Sequence, residues 1–466
     1  MNFIRHFFFS SFLLTAFLNL HVCGQLPDSP EKLLSEYIQM KSVTGDEAPA
    51  ARFLLQKCRE AGLNAFVFND EQNSFNFAAS LYPLETHKPN VVFHTHCDVV
   101  HEGDSSKWKY PPFSGTIADS AVWGRGSIDN KALGIMELMA LSRFVERAKN
   151  EDLPYNFTIL VVSNEEEGGK LGAGRVVNNY LDLLNPVVVY GEGGAGLKHV
   201  LITHPEQTVF GISIIHKQGV WLDLSLKNGS CAHGAIASDN NINNKLINAL
   251  FRLSHTKRKL KITEASELMV HELSDHEKGL IKCAYRHPKL FFPLVKKRIL
   301  KDPLLSLIFT DTYNITNINS PYSAMNSVAD EVHAIIDCRF LEPTRPEDIV
   351  KQIGKKSKCP GLTIRVLKES PAATFTRPDL YYRWMSEAIL QDNQEAVVVP
   401  VLFPAIADNN YFRNKNIPTY GLVPCLLKAD DVKRIHNTDE HISVKCINQG
   451  ISIYSNLISI ALKDEM

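Results

Sequence analysis

The chain lacks an excess of charge of either sign. Its 50 Lys and Arg face 51 Asp and Glu, for a formal net charge of −1. That balance gives no hint of a nucleic acid or an anionic membrane as partner, and short basic stretches such as Lys296-Lys297-Arg298 and Lys355-Lys356 read as solvated helix faces. Cysteine is sparse too: the nine are scattered and form no CxxC pair, so neither a small disulfide framework nor a cysteine-rich metal knot is indicated. Internal repeats and low-complexity tracts are absent beyond the apolar start. What remains, 466 residues with 44% hydrophobic content, is ordinary globular composition, long enough for two domains with substantial cores.

The first residues differ from the rest. Arg5 and His6 precede Phe7-Phe8-Phe9 and the apolar run Phe12–Leu18, too short for a comfortable membrane span but suited to the core of a secretory signal. Cleavage after Gly24 would remove residues 1–24 with Cys23 and leave eight cysteines, no stable membrane span and a secreted or periplasmic protein. A lipid anchor through Cys23 is the alternative, although His21-Val22 fit it poorly. Asn156-Phe157-Thr158, Asn228-Gly229-Ser230 and Asn314-Ile315-Thr316 are glycosylation sequons, of a kind that also arises by chance.

From Pro30 to about Pro205, strand-like runs alternate with helical patterns, such as the helix expected over 132–147. This predicts a mostly parallel α/β domain. From about 208 the texture changes: Val209–Ile214 and Trp221–Leu226 alternate like half-exposed antiparallel strands. A helix over 241–254, a helical insert over about 265–310, and strands at Val332–Arg339 and Leu362–Val366 follow. The expected organisation is a catalytic domain in two parts, 25–207 and 369–466, interrupted by a smaller α/β lid domain over 208–368.

Three buried-looking runs lead directly into acidic or histidine motifs. Val91-Val92-Phe93 precedes His94-Thr95-His96-Cys97-Asp98; Ile159–Val162 precedes Ser163-Asn164-Glu165-Glu166-Glu167-Gly168-Gly169; Val187–Tyr190 precedes Gly191-Glu192-Gly193-Gly194. In open α/β sheets the functional crevice lies beyond the carboxyl ends of the strands, so these groups should converge. Two further motifs follow the same logic: Asp129 on the turn Gly124-Arg125-Gly126-Ser127-Ile128, and His436 near the end. Each has an ordinary reading. His96 with Asp98 could be structural, Asp129 a helix N-cap, and Glu165–Glu167 a solvated cluster. Adjacent carboxylates nevertheless allow one to bind metal while its neighbour stays free as a general base. Two histidines, three carboxylates and a spare glutamate suit Zn²⁺, with Mn²⁺ or Co²⁺ as alternatives.

Taken in order, HTHCDVV, W-x-x-PPFSG, GRGSIDNK, NEEEGG-x-x-GA, GEGG and IHNTDEHI resemble the dizinc ArgE/DapE/aminoacylase/carnosinase family of metallopeptidases. The spaced W-x-x-PPFSG and the insert before Asp311 look nearest to the carboxypeptidase S and secreted N-acyl-amino-acid hydrolase branch. The resemblance implies that His96, Asp129 and Glu192 hold one zinc and that Asp129, Glu166 and His436 hold the other. It further implies Glu165 as general base toward an activated water, Asp98 orienting His96, and a cis peptide between Asp129 and Asn130. In the lid, Cys231-Ala232-His233-Gly234 resembles the segment whose histidine adds an oxyanion donor, often across a dimer, so a homodimer through the lid is an expectation. Asn326 and Arg339 match the substrate-binding asparagine and carboxylate-binding arginine; without the flanking motif, Arg339 reads as an exposed strand arginine.

Four positions depart from the family pattern: Ala237 and Ala329 stand for prolines, Asn164 for an aspartate, and Asn410 for an arginine. They bear on substrate recognition more than on hydrolysis. The expected activity is amide cleavage in a small carboxylate-bearing substrate: a dipeptide, a peptide C-terminus or an N-acyl amino acid. The alternatives are a related dizinc aminopeptidase, which would read the substrate's amine, and a silent binding protein on the same scaffold.

Overall fold

The computed structural model describes residues 29–464, apart from 229–231, 237–239, 302, 322–323 and 373. The leader expected over 1–24 and the departure at Ala237 lie outside the described residues. No helix among the described residues is long and apolar enough to cross a membrane.

An eight-stranded sheet organises the molecule. Its order is Asn64–Glu71, Ser74–Ser80, Asn156–Val162, Asn90–His96, Pro186–Leu197, Thr419–Leu426, Val209–His216 and Val397–Phe403. The central strands Asn156–Val162, Asn90–His96, Pro186–Leu197 and Thr419–Leu426 run parallel. Side chains alternate across such a strand. Val91 and Phe93 therefore pack into a core with the helices Lys131–Ser142, Leu380–Asp392 and Val444–Ala461. Val92 faces a second core containing Val176 and Phe412, from Ala173–Asn179 and Asn409–Arg413. Both faces are covered, which is why these strands are continuous Val/Ile runs.

A separate four-stranded antiparallel sheet has the order Thr312–Asn319, Glu331–Phe340, Gln218–Lys227, Thr363–Glu369. One face packs Leu222, Leu224, Ile336 and Cys338 against Leu246 of Ile242–Ser254 and Ile349 of Pro346–Ser357. The opposite face carries Trp221, Asp337, Arg339 and Lys368, as the strand register requires. This is a mixed α/β fold with a large, mostly parallel sheet and a smaller lid-type sheet.

Two readings of the sequence need correction. Val209–His216 is not a half-exposed strand of the smaller unit: all eight residues are buried, and it pairs in parallel with Val397–Phe403 in the large sheet. Its glycine answers to close packing instead, because a Cβ on Gly211 would lie 2.8 Å from Val401 Cγ1 of the neighbouring strand. The helical insert also belongs elsewhere. Met269, Val270, Phe292, Ile299 and Phe309 pack on Val397 and Val399 of the large sheet's edge strand, covering that edge rather than the small sheet.

Phe292 is the insert's anchor, buried and edge-on to Phe309 at 5.2 Å between ring centroids. Phe292→Ala should weaken docking of the insert by about 3–5 kcal/mol. Limited proteolysis should then cut within 264–309 faster, while amide exchange in the central strands stays unchanged; uniform loss of protection across the molecule would contradict this division.

Candidate metal centre

His96 is the last residue of its strand and is 1% exposed. Its Nδ1 faces the main-chain oxygen of Asp98 at 2.9 Å, with the Asp98 carboxylate at 3.4 Å, which orients the ring and turns Nε2 outward. The main-chain oxygen is thus the nearer partner. The Asp98 carboxylate has other work, accepting from the Glu165 and Glu166 amides at 3.1 Å each and from Thr44 Oγ1 at 2.9 Å. Asp98 therefore joins the strand carrying His96 to the loop carrying the two glutamates.

That loop leaves the sheet through Asn164, whose φ of +63° suits asparagine far better than a β-branched residue. The Asn164 side chain accepts from the Leu171 amide. Gly169, at φ +66°, tolerates no side chain: a Cβ there would lie 1.8 Å from Asp408 Oδ1. Glu192 is not at a strand end. Its strand continues to Leu197, and the register steps from Gly191↔Gly421 to Gly194↔Leu422, so Glu192 and Gly193 bulge out. Gly421 permits this, since a Cβ there would meet the Glu192 carbonyl at 2.1 Å. A relay from Thr95 Oγ1 to Asn130 Oδ1 (2.7 Å) and from Asn130 Nδ2 to Glu192 Oε2 (2.7 Å) then fixes the carboxylate.

Asp129 sits between the two histidines. Its Oδ1 is 3.0 Å from His96 Nε2, and its Oδ2 is 3.2 Å from His436 Nε2. On one side Glu192 Oε2 lies 3.6 Å from His96 Nε2; on the other Glu166 Oε1 lies 3.1 Å from His436 Nε2. The ligand atoms of His96, Asp129 and Glu192 all lie within 4.8 Å of one another, as do those of Asp129, Glu166 and His436. The Asp129–Asn130 peptide is cis.

The electrostatics match this crowding. Burial pushes the Glu166 carboxyl up to about 7, helped by the charge of Asp129. Burial and the charge of Glu192 push Glu165 well above the carboxylate range. Asp408 is likewise raised by burial, and its Oδ2 is buried without a hydrogen-bond partner. Burial works against a charge on His436, but its contacts to Asp129 and Glu166 raise it to about 10. The site demands positive charge, and mixed imidazole and carboxylate donors fit divalent zinc or its first-row neighbours.

The remaining expected residues are not joined to this cluster by any hydrogen bond or ion pair among the described residues. His233 and Asn326 are exposed neighbours on a two-stranded ribbon, Ala232–His233 against Ser327–Val328, where the Gly234 amide donates to the Asn326 oxygen at 2.8 Å. Arg339 is held by its own strand, its Nη2 3.1 Å from Asp337 Oδ2.

Two residues escaped the sequence reading. Glu440, fully buried, accepts from Arg125 Nη1 (2.7 Å) and from the amides of Gly126 (3.0 Å), Ile128 (2.9 Å) and Asp129 (3.2 Å). It lies within the same motif as His436, which is the signal that could have exposed it. Lys368 had no such signal. A bulge between Val366 and Lys368 places Lys368, rather than Leu367, opposite Trp221. Its Nζ is 5.1 Å from the Trp221 ring centroid, and its stem lies against Gly168, where a Cβ would meet Cε at 2.8 Å. Burial lowers its ammonium, while the charges of Glu167, Glu165 and Asp408 pull it back up.

The sequence profile of peptidase family M20/M25/M40 matches residues 92–460. The chain belongs to that family. It is 24% identical over 382 residues to the probable carboxypeptidase S-like 2 of Dictyostelium discoideum, covering 80% of this chain and 72% of that one. It is 22% identical over 394 residues to the N-fatty-acyl-amino acid synthase/hydrolase PM20D1 of Homo sapiens, covering 83% and 77%. The M20 family metallo-carboxypeptidase Sso-CP2 from Sulfolobus solfataricus shares the fold, with a TM-score of 0.71 at 17% identity over 94% of this chain and 100% of that one. As an M20/M25/M40 member the protein is an enzyme of the metallopeptidase and amidohydrolase type, and its relatives point to small-molecule substrates.

Glu440→Ala would leave Arg125 buried without its partner and free three amides of the Asp129 turn. It should cost about 3–5 kcal/mol in urea unfolding and weaken metal retention on dialysis. Unchanged stability would show that the turn holds itself.

Proposed function

We propose that the protein hydrolyses the amide bond of a small carboxylate-bearing substrate, such as a dipeptide, a peptide C-terminus or an N-acyl amino acid, using two divalent ions. The observation that carries this is the placement of Asp129, with one carboxylate oxygen toward His96 and the other toward His436. His96, Asp129 and Glu192 would hold one ion, and Asp129, Glu166 and His436 the other, with zinc favoured by the donor set. The chemistry that two such cations would supply there is acidification of a water and polarisation of the scissile carbonyl.

The chain's own groups supply the rest. Glu165 neighbours a ligand without serving as one, and its raised affinity for a proton suits a base that takes the water's proton and returns it to the departing amine nitrogen. Asp98 acts through others, holding the Glu165 and Glu166 amides. We assign His233 to the oxyanion, from the same copy or across a pair of copies, and Asn326 beside it to the substrate. Arg339 and Lys368, on one face of the small sheet, would share the substrate carboxylate. Two relatives, the probable carboxypeptidase S-like 2 and the N-fatty-acyl-amino acid synthase/hydrolase PM20D1, fit a substrate of this kind.

Elemental analysis should find two divalent ions per chain after zinc reconstitution, and Asp129→Ala should lose both; a single ion in the parent would refute the dinuclear reading. Glu165→Gln should keep its metal and lose about 10²–10⁴-fold in turnover. Near-normal turnover in the metal-replete variant would remove Glu165 from the role. Lys368→Met and Arg339→Ala should each lower kcat/KM by about tenfold or more on free-acid substrates, mainly through KM. Amidated substrates should react slowly with the parent and be indifferent to either change. Equal rates on free-acid and amidated substrates would point to recognition of the amine end instead.

A further inference from the structure

The strongest feature outside the metal centre lies on the helical insert. Between residues 278 and 301 the chain has eight basic residues (Lys278, Lys282, Arg286, Lys289, Lys296, Lys297, Arg298, Lys301) and no Asp or Glu. This is an abrupt break from the near-neutral balance of the whole. The helix Pro288–Lys301 is anchored by Phe292 and Ile299, which are 4% and 5% exposed. At about 100° per residue, Leu290, Leu294, Lys297 and Lys301 fall within roughly 60° of one another on the side opposite those anchors. Their exposure agrees: Leu290 is 67% and Leu294 78% exposed, and Leu280 on the preceding helix Gly279–Arg286 is 85% exposed.

An outward face with leucines at one end and lysines at the other is not explained by packing on the large sheet, which uses the opposite face. Nor does it suit a second copy of the chain, because the face offers no acid to pair with the lysines of its counterpart. Nucleic acid would use the lysines but has no use for leucines aimed into solvent. A surface with anionic headgroups over hydrocarbon satisfies both sets at once.

We propose that the outer face of the 279–301 helices docks the enzyme on anionic lipid surfaces, with Leu290 and Leu294 entering the acyl boundary and Lys297 and Lys301, flanked by Arg298, meeting the headgroups. The test is sedimentation with phosphatidylcholine vesicles, with and without phosphatidylserine. It uses the chain from Gln25, which keeps every described residue and removes the apolar leader as a competing cause. Binding should require phosphatidylserine and weaken as salt rises. Leu290→Ser with Leu294→Ser should weaken it about tenfold or more, as should Lys297→Glu with Lys301→Glu. Hydrolysis of a water-soluble substrate and the unfolding midpoint should not change. The proposal is overturned if the parent ignores phosphatidylserine vesicles, if the leucine variant binds as the parent does, or if the leucine variant alters oligomeric state in size-exclusion chromatography. Equal binding to duplex DNA with no leucine dependence would also overturn it, leaving a plain polyanion face.

Discussion

Too many carboxylates meet at one place for this fold to hold them without cations, and much of the molecule serves that constraint. Asp129, Glu165, Glu166, Glu192 and Asp408 approach one another from four separate segments. Burial and mutual repulsion raise Glu165, Glu166 and Asp408, while the same field draws positive charge onto His436. In water such a cluster would relax by moving apart. Here the strands entering it are buried on both faces, so the backbone cannot yield, and the free energy is recovered only when positive charge is bound.

Rigidity of that kind needs its own supports, and two buried carboxylates outside the ligand set provide them. Asp98 accepts the amides at the head of the glutamate loop, and Glu440 accepts three amides of the Asp129 turn. Each fixes a loop through its main chain rather than through the functional side chains. Loops this polar could not otherwise be buried, because unpaired amides there would cost about as much as the site gains. The short sheet pairing His441–Ser443 with Ala121–Trp123 carries the same logic further, tying the segment that bears His436 to the turn that bears Asp129.

How much of this was legible in sequence follows from what each signal depends on. The convergence of histidines and carboxylates was readable because these residues sit in local patterns, such as an apolar run ending in His96 or glycines bracketing Glu192. The bulge that exposes Glu192 was not readable, since a register step depends on the partner strand. Lys368 was invisible for the same reason: simple alternation assigns Leu367, not Lys368, to the face of Trp221. Val209–His216 misled because alternation of large and small residues looks alike whether the small ones face solvent or a tightly packed neighbouring strand. The insert's position could not be inferred at all, as its apolar residues fit either sheet and only the exposed edge at Val397–Phe403 selects one.

The missing arginine at 410 now has a physical context. Asn410 is fully buried, and its Oδ1 lies 3.4 Å from Nη1 of Arg413, one helical turn on. Arg413 is itself buried, spanning the Thr419 and Ser213 carbonyl oxygens, and burial lowers its guanidinium to about 9. A second guanidinium at 410 would set two buried cations side by side, one helical turn apart. Position 410 in this chain is therefore part of the buried interior rather than of an open surface. On the small sheet Arg339 is already paired with Asp337, and Lys368 leans over Gly168 toward the glutamate loop. An unpaired ammonium on a flexible stem can follow substrates of different length, whereas a guanidinium clamped by its own strand cannot. On the proposed function, residue 368, rather than 339, is then where differences in substrate choice between this chain and its relatives should concentrate.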